Sequence, residues 1–104
     1  MTGFVQLMRF TTSKIEEVEA FVDRMVKERG DALLATRSTI TKDRDHENTY
    51  WVIVEFASYE DAMKNSNDPE TDRFAKELVG MLDGPPDFYN LDVRGVMMPG
   101  KGYS

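Results

Sequence analysis

The 104-residue sequence contains no cysteine and only one histidine. The absence of cysteine excludes disulfides, thiolate metal ligands and thiol nucleophiles. The single histidine, His46, lies in the charged turn at residues 42–48, where neighbouring side chains on a loop do not form a preorganised cation site. We therefore predict no metal site and no cofactor.

The sequence also lacks long apolar runs and an excess of basic residues. No stretch approaches the ~20 apolar residues that a membrane span needs, and the first residues do not show the basic and apolar regions of a signal peptide. The 19 acidic residues outnumber the 13 basic ones, and the net charge of −6 repels nucleic acid and anionic membrane surfaces. We expect a cytoplasmic protein that binds neither nucleic acid nor membranes.

Strand and helix signals alternate along the first half of the chain. Residues 4–11 are rich in β-branched and aromatic types, which favour a strand. Ser13-Lys-Ile-Glu16 has capping-box spacing, and apolar residues at helical intervals follow as far as Gly30. Residues 32–41 and 49–57 again have strand character, so the polar run between them predicts a hairpin.

The second half predicts a broken helix and a last strand. Ser58 and the Asp68-Pro69 pair are both helix starts, so the helical region should break near residues 65–67 and end near Leu82. Residues 87–98 alternate as a strand, and residues 99–104 are predicted to be a flexible tail. The order βαββαβ predicts one α+β domain over residues 1–98, with a ferredoxin-like, four-stranded antiparallel sheet covered on one face by helices.

The alternation within strands predicts which side chains face the helices. We assign Val52, Val54 and Phe56 to the helix side, together with the apolar set of the last strand, Tyr89, Leu91 and Val93. The other face then mixes apolar residues with charges of both signs, which suits contact with a second copy. The predicted homodimer interface comprises Trp51, Ile53, Glu55, Asp92, Arg94 and Arg37. The alternative is a solvated face, because antiparallel sheets often expose one side.

The junctions between elements resemble those of one superfamily. They are the strand ending near Thr11, the capping-box helix, the hairpin reaching Trp51-Val-Ile-Val-Glu-Phe56 and the helix start Ser58-Tyr-Glu-Asp-Ala62. Over residues 3–98 this layout resembles the dimeric α+β barrel superfamily, which includes antibiotic-biosynthesis monooxygenases, stress-responsive barrel proteins and haem-degrading oxygenases. The haem branch uses an axial histidine on the second helix, and residues 59–82 contain no histidine.

The resemblance implies a pocket between the helices and the sheet. In the monooxygenase branch such a pocket holds a polycyclic or quinone-like substrate whose own reduced ring activates dioxygen. The corresponding candidates here are Tyr59, Asn65, Phe74, Tyr89 and Trp51. The candidates for a polar group inside an apolar pocket are Asn65, Arg73 and Asn90. The alternative is that these aromatic residues only complete the core.

The resemblance therefore implies a protein that binds a small molecule. It further implies an enzyme that acts on an aromatic or polyketide-like compound as a cofactor-independent monooxygenase, isomerase or cyclase. The alternative is a non-catalytic barrel with a ligand-binding or structural role.

Overall fold

The chain forms a four-stranded sheet with three helices on one side, followed by a short hairpin, in a computed structural model that describes residues 3–104. The strands are β1 (Phe4–Thr11), β2 (Ala35–Lys42), β3 (Thr49–Phe56), β4 (Asp87–Asp92), β5 (Met97–Met98) and β6 (Gly102–Tyr103). The helices are α1 (Ile15–Arg29), α2 (Tyr59–Asn67) and α3 (Pro69–Val79). The sheet order is β2-β3-β1-β4 and every pair is antiparallel, which confirms the predicted ferredoxin-like fold.

The buried residues form two separate clusters between the helices and the sheet. The first, which we call the main core, lies under α1 and α3 and consists of Phe10, Val18, Phe21, Tyr50 and Leu78. The second, the α2 core, consists only of Phe4, Phe56 and Ala62. The residues that β1 and β3 contribute to these two clusters are all even-numbered. The even-numbered residues of both strands therefore face the helices, as predicted for β3.

The predicted capping box at the start of α1 is not formed. The helix begins at Ile15, and Lys14 occupies the N-cap position without a side-chain hydrogen bond. Thr12, which is buried, takes over part of this role: its Oγ1 accepts from the backbone N–H of Lys14 at 3.0 Å and donates to the carbonyl of Met81 at 2.8 Å. Thr12 thereby connects the start of α1 to the segment that follows α3.

The break between α2 and α3 lies at a single extended residue, Asp68. Its backbone angles, φ −73° and ψ 127°, end α2, and its Oδ1 accepts from the N–H of Glu70 at 2.9 Å and so caps α3. Pro69 occupies the first turn of α3, where the missing donor costs nothing. The predicted broken helix is therefore correct in kind, although α3 ends at Val79 rather than near Leu82.

The end of the chain differs from the prediction. β4 stops at Asp92, and the remaining residues turn back into the β5–β6 hairpin instead of extending β4. Val96 and Ser104 exchange two backbone hydrogen bonds, and the hydroxyl of Tyr103 donates to the carbonyl of Arg94 at 2.9 Å. None of the helices within residues 3–104 has the length and apolar character needed to cross a membrane.

Candidate functional site

The register of β4 reverses the faces that its alternation predicts. Tyr89 pairs with Leu7 and Asn90 pairs with Gln6, so Tyr89 and Leu91 point away from the helices. The helix side of β4 carries Phe88, Asn90 and Asp92 instead. The assignment of Asp92 to the same face as Trp51 is therefore wrong, and Arg94 lies beyond the end of β4. All six residues of β4 are exposed, so burial within one subunit does not select a face.

The sheet face without helices, which we call the open face, carries a cluster of aromatic and charged side chains. Trp51 stacks on Tyr89 with ring centroids 6.0 Å apart, and the Arg9 guanidinium lies 5.9 Å from the centre of the Trp51 ring. Four of the predicted interface residues, Trp51, Ile53, Glu55 and Arg37, share this face. Glu55 pairs with Arg37 at 2.6 Å, and this contact raises the pKa of Arg37.

A carboxylate fixes the orientation of Trp51 on the open face. Asp43 Oδ2 accepts from the indole N–H of Trp51 at 3.0 Å, and Oδ1 accepts from the backbone N–H of Asp45 at 2.9 Å. Together with the nearby imidazole of His46, these contacts lower the pKa of Asp43 to about 2. The charged turn at residues 42–48 therefore fixes the position of Trp51, one of the aromatic side chains of the open face. Within residues 3–104, no group of histidine, aspartate and glutamate side chains could hold a metal ion.

The helix side of β1 and β4 carries a pair of side-chain amides among exposed apolar groups. Gln6 Nε2 donates to Asn90 Oδ1 at 3.1 Å. Phe88, next to Asn90 on the same side of β4, is 53% exposed. We call this surface the amide shelf and define it as Gln6, Phe88, Asn90 and Asp92. Tyr59 lies at the end of the shelf. The centroid of its ring is 5.3 Å from that of Phe4, and Phe4 pairs with Asp92 in the sheet.

The five residues predicted to line one pocket lie in four different places. Trp51 and Tyr89 are on the open face, opposite the helices. Phe74 stacks on Phe21 between α3 and α1, with ring centroids 4.9 Å apart. Asn65 belongs to the joint between α2 and α3, where its Oδ1 lies 3.4 Å from the hydroxyl of Thr71. Of the five, only Tyr59 lies beside the amide shelf.

Apart from the amide shelf, a depression of about 120 Å³ lies between α1 and α3 on the outer surface. The Phe21–Phe74 stack forms its apolar part, and the rest of its lining includes arginine and glutamate side chains of both helices. Arg24 lies 5.7 Å from the centre of the Phe21 ring, while Arg73 pairs with Glu70. Arg24 and Arg73 are thus already stacked or paired within the protein, and we take the amide shelf as the better candidate site.

The sequence does not predict the amide shelf, because its two amide residues lie 84 residues apart. Asn90 is a polar candidate in the sequence, but the alternation of the last strand assigns it to the opposite face. Gln6 and Asn90 become neighbours only through the β1–β4 register, which the alternation of residue types does not reveal.

No family model matches the sequence, and no curated protein is similar enough to be aligned with it. Solved structures do match. SnoaB, a cofactor-independent oxygenase from Streptomyces nogalater, is 17% identical and has a TM-score of 0.77, covering 93% of this chain and 98% of that chain. A SnoaB variant with an asparagine replaced by alanine gives a TM-score of 0.78.

Two further structures have the same architecture. An antibiotic biosynthesis monooxygenase is 12% identical with a TM-score of 0.67, covering 88% of this chain and 98% of that chain. A conserved protein from Methanosarcina mazei Go1 is 9% identical with a TM-score of 0.74, covering 88% of this chain and 92% of that chain. At these identities the likeness establishes the fold alone. The expected resemblance to the α+β barrel monooxygenases is therefore confirmed as a resemblance of fold.

Proposed function

We propose that this protein is a cofactor-independent monooxygenase that binds a hydroxylated, fused-ring aromatic or polyketide-like compound on the amide shelf. The observation that carries the proposal is the Gln6–Asn90 amide pair, exposed beside Phe88 on the side of the sheet that the helices cover elsewhere. The fold shared with a cofactor-independent oxygenase supports the same reaction class.

The distribution of residues on β4 supports a functional role for the shelf. An edge strand that only completes a core would point its apolar side chains towards the helices. In β4, Tyr89 and Leu91 point to the open face, while Asn90 and Asp92 lie beside Phe88 on the helix side. A polar group among aromatic side chains is the usual composition of a small-molecule site.

The amide pair has the hydrogen-bonding capacity to orient such a compound. Once Gln6 Nε2 has donated to Asn90 Oδ1, the Nδ2 group of Asn90 remains a donor and Oε1 of Gln6 remains an acceptor. A ring carbonyl next to a hydroxyl presents the complementary acceptor and donor. The exposed ring of Phe88 and the edge of Tyr59 supply apolar surface for a flat ring system.

The proposed reaction draws its electrons from the substrate. A ring CH₂ that is conjugated with the carbonyl across the ring system loses a proton to a solvent base. The resulting carbanion reduces dioxygen and combines with it, and the peroxide takes up a proton from solvent to give a hydroperoxide. Loss of water then leaves a new C=O, so one oxygen atom enters the product and the other leaves as water. Asn90 would stabilise the enolate oxygen by a hydrogen bond that strengthens as negative charge develops.

Oxygen uptake with an anthrone as substrate tests this proposal. We expect the parent protein to accelerate oxidation to the anthraquinone, and Asn90→Leu or Gln6→Leu to lower the rate at least about tenfold. Asn67→Leu, at the exposed end of α2, is the matched control and should keep the parent rate. Binding without turnover would favour the non-catalytic alternative, and equal rates in all variants would refute a role for the shelf.

We further propose that the protein is a homodimer joined through the open face. That face presents apolar residues with charges of both signs, and the Arg37–Glu55 and Arg9–Asp87 pairs neutralise these charges within one chain, so a second copy could cover the face without burying an unpaired charge. Tyr89, 45% exposed in one subunit, would be covered by the second. Dimerisation would leave the amide shelf of each subunit accessible, because the shelf lies on the opposite side of the sheet.

A further inference from the structure

We propose that α2 opens as a separate unit, and that Arg29 at the end of α1 is the latch that holds it closed. α2 borders the exposed amide shelf at Tyr59, so its opening would widen the path by which a ligand reaches that shelf. The entry step rests on the proposed function, whereas the opening itself does not.

α2 is weakly held by its own packing. Only Ala62 of its nine residues is buried, and Tyr59 at its start is 51% exposed. The α2 core is separate from the main core, so loss of its contacts need not disturb α1 and α3. A helix of this length is not stable in isolation, and elements with little buried apolar surface are the ones that open locally.

Arg29 connects the joint between α2 and α3 to the main core. Its guanidinium donates to the hydroxyl of Thr71 at 2.8 Å and to Asp68 Oδ2 at 3.1 Å. Asp68 is the residue that ends α2 and caps α3. Arg29 itself extends from α1, which Val18 and Phe21 anchor in the main core. One side chain therefore connects the joint to the more stable part of the molecule.

The burial of Arg29 makes this connection stronger than an ordinary surface ion pair. Its side chain is only 9% exposed, whereas that of Lys27, the other basic residue in the last turn of α1, is 74% exposed in its pair with Asp23. Charge-assisted hydrogen bonds are stronger in a shielded site than in water, so the closed joint, in which both partners are in place, gains more from Arg29 than from an exposed ion pair. In the opened state Arg29 would instead be solvated.

Hydrogen–deuterium exchange of the full chain tests the latch. In Arg29→Met we expect amides of residues 62–68 to exchange about tenfold or more faster, while β1 and β3 keep the parent rates. Lys27→Met is the matched control and should change neither region. Equal acceleration of α2 and the strands, or unchanged exchange in α2, would overturn the proposal.

Two milder variants keep the test decisive if Arg29→Met does not fold. Thr71→Val and Asp68→Asn each remove one partner of Arg29, and asparagine retains an acceptor for the cap of α3. Both should accelerate exchange in α2 selectively. Uniform acceleration, or none, again contradicts the latch.

Stopped-flow binding of a dihydroxyanthraquinone probe examines the entry step. We expect the association rate to rise in the variants whose α2 exchanges faster. An unchanged association rate with faster exchange would overturn entry through α2 and leave the opening intact. Absence of probe binding in the parent protein would count instead against the proposed function.

Discussion

At the scale of single residues, polar side chains of the turns and helix ends determine the geometry around both faces of the sheet. Asp43 holds the only tryptophan of the chain, and Thr12 connects the start of α1 to Met81. Each of these residues has a short polar side chain whose partners are backbone groups or an indole N–H. Their contributions can be measured one residue at a time.

The contribution of Asp43 to stability should depend on pH. The hydrogen bond from Trp51 holds the pKa of Asp43 at about 2 in the folded protein, below the value of about 3.9 for an unfolded chain. Asp43 therefore stabilises the fold fully above about pH 5, and this contribution is lost as the pH falls towards about 2. The parent should have a larger unfolding free energy than Asp43→Asn near neutral pH, and this difference should become smaller as the pH falls from about 5 to about 2.

Urea titrations that follow Trp51 fluorescence at several pH values would measure this difference. Glu47→Gln, in the same turn, is a control for which no narrowing of this kind is expected. A difference between parent and Asp43→Asn that stays constant down to the acid limit would show that the Trp51 contact does not lower the pKa.

Replacement of Thr12 by valine should destabilise the protein by about 1–3 kcal/mol, because it leaves the Met81 carbonyl without its hydrogen bond in a buried position. The side chain keeps its shape, so packing is preserved. Thr39→Val on exposed β2 provides the comparison and should change stability by less than about 0.5 kcal/mol. Equal effects in the two variants, measured by chemical denaturation, would contradict this role.

At the scale of elements, two serines that look alike in the sequence differ in the structure. Ser58 accepts from the N–H of Asp61 at 3.1 Å and caps α2, whereas Ser13 does not cap α1. Ser58→Ala should therefore cost about 1 kcal/mol, and Ser13→Ala much less. Thermal denaturation of both variants gives the comparison, and a larger loss for Ser13→Ala would show that the capping box forms in solution.

The elements themselves could be predicted because their signals are local. Caps, the Asp68-Pro69 break and the alternation in β3 each depend on residues close together in sequence. The orientation of β4 could not be predicted, since both of its faces are exposed in the chain. Only the register with β1 decides which of its residues lie on the helix side. The same limit applies to the site, because Gln6 and Asn90 meet only through that register. The residue types that predict a pocket carry no information about this register.

At the scale of the whole molecule, the proposed assembly through the open face can be tested by substitution. Tyr89→Arg should convert the proposed homodimer into a monomer, because it places a charge at the centre of an aromatic cluster. Phe88→Arg is a closely matched control, since Phe88 is the adjacent residue, is similarly exposed and points to the other side. Sedimentation velocity at micromolar concentration distinguishes the two states. A monomeric parent, or dissociation by both substitutions, would refute dimerisation through this face.

The division of the buried residues into two clusters lets the two ends of the helical layer diverge separately in evolution. Substitutions in sites that share no contacts have nearly additive effects, so changes around Phe4 and Phe56 can accumulate while Val18, Phe21 and Leu78 preserve the folded state. The end of the domain beside the amide shelf is the one with the smaller cluster. A lineage with this architecture can thus acquire new ligand preferences at that end with little loss of foldability.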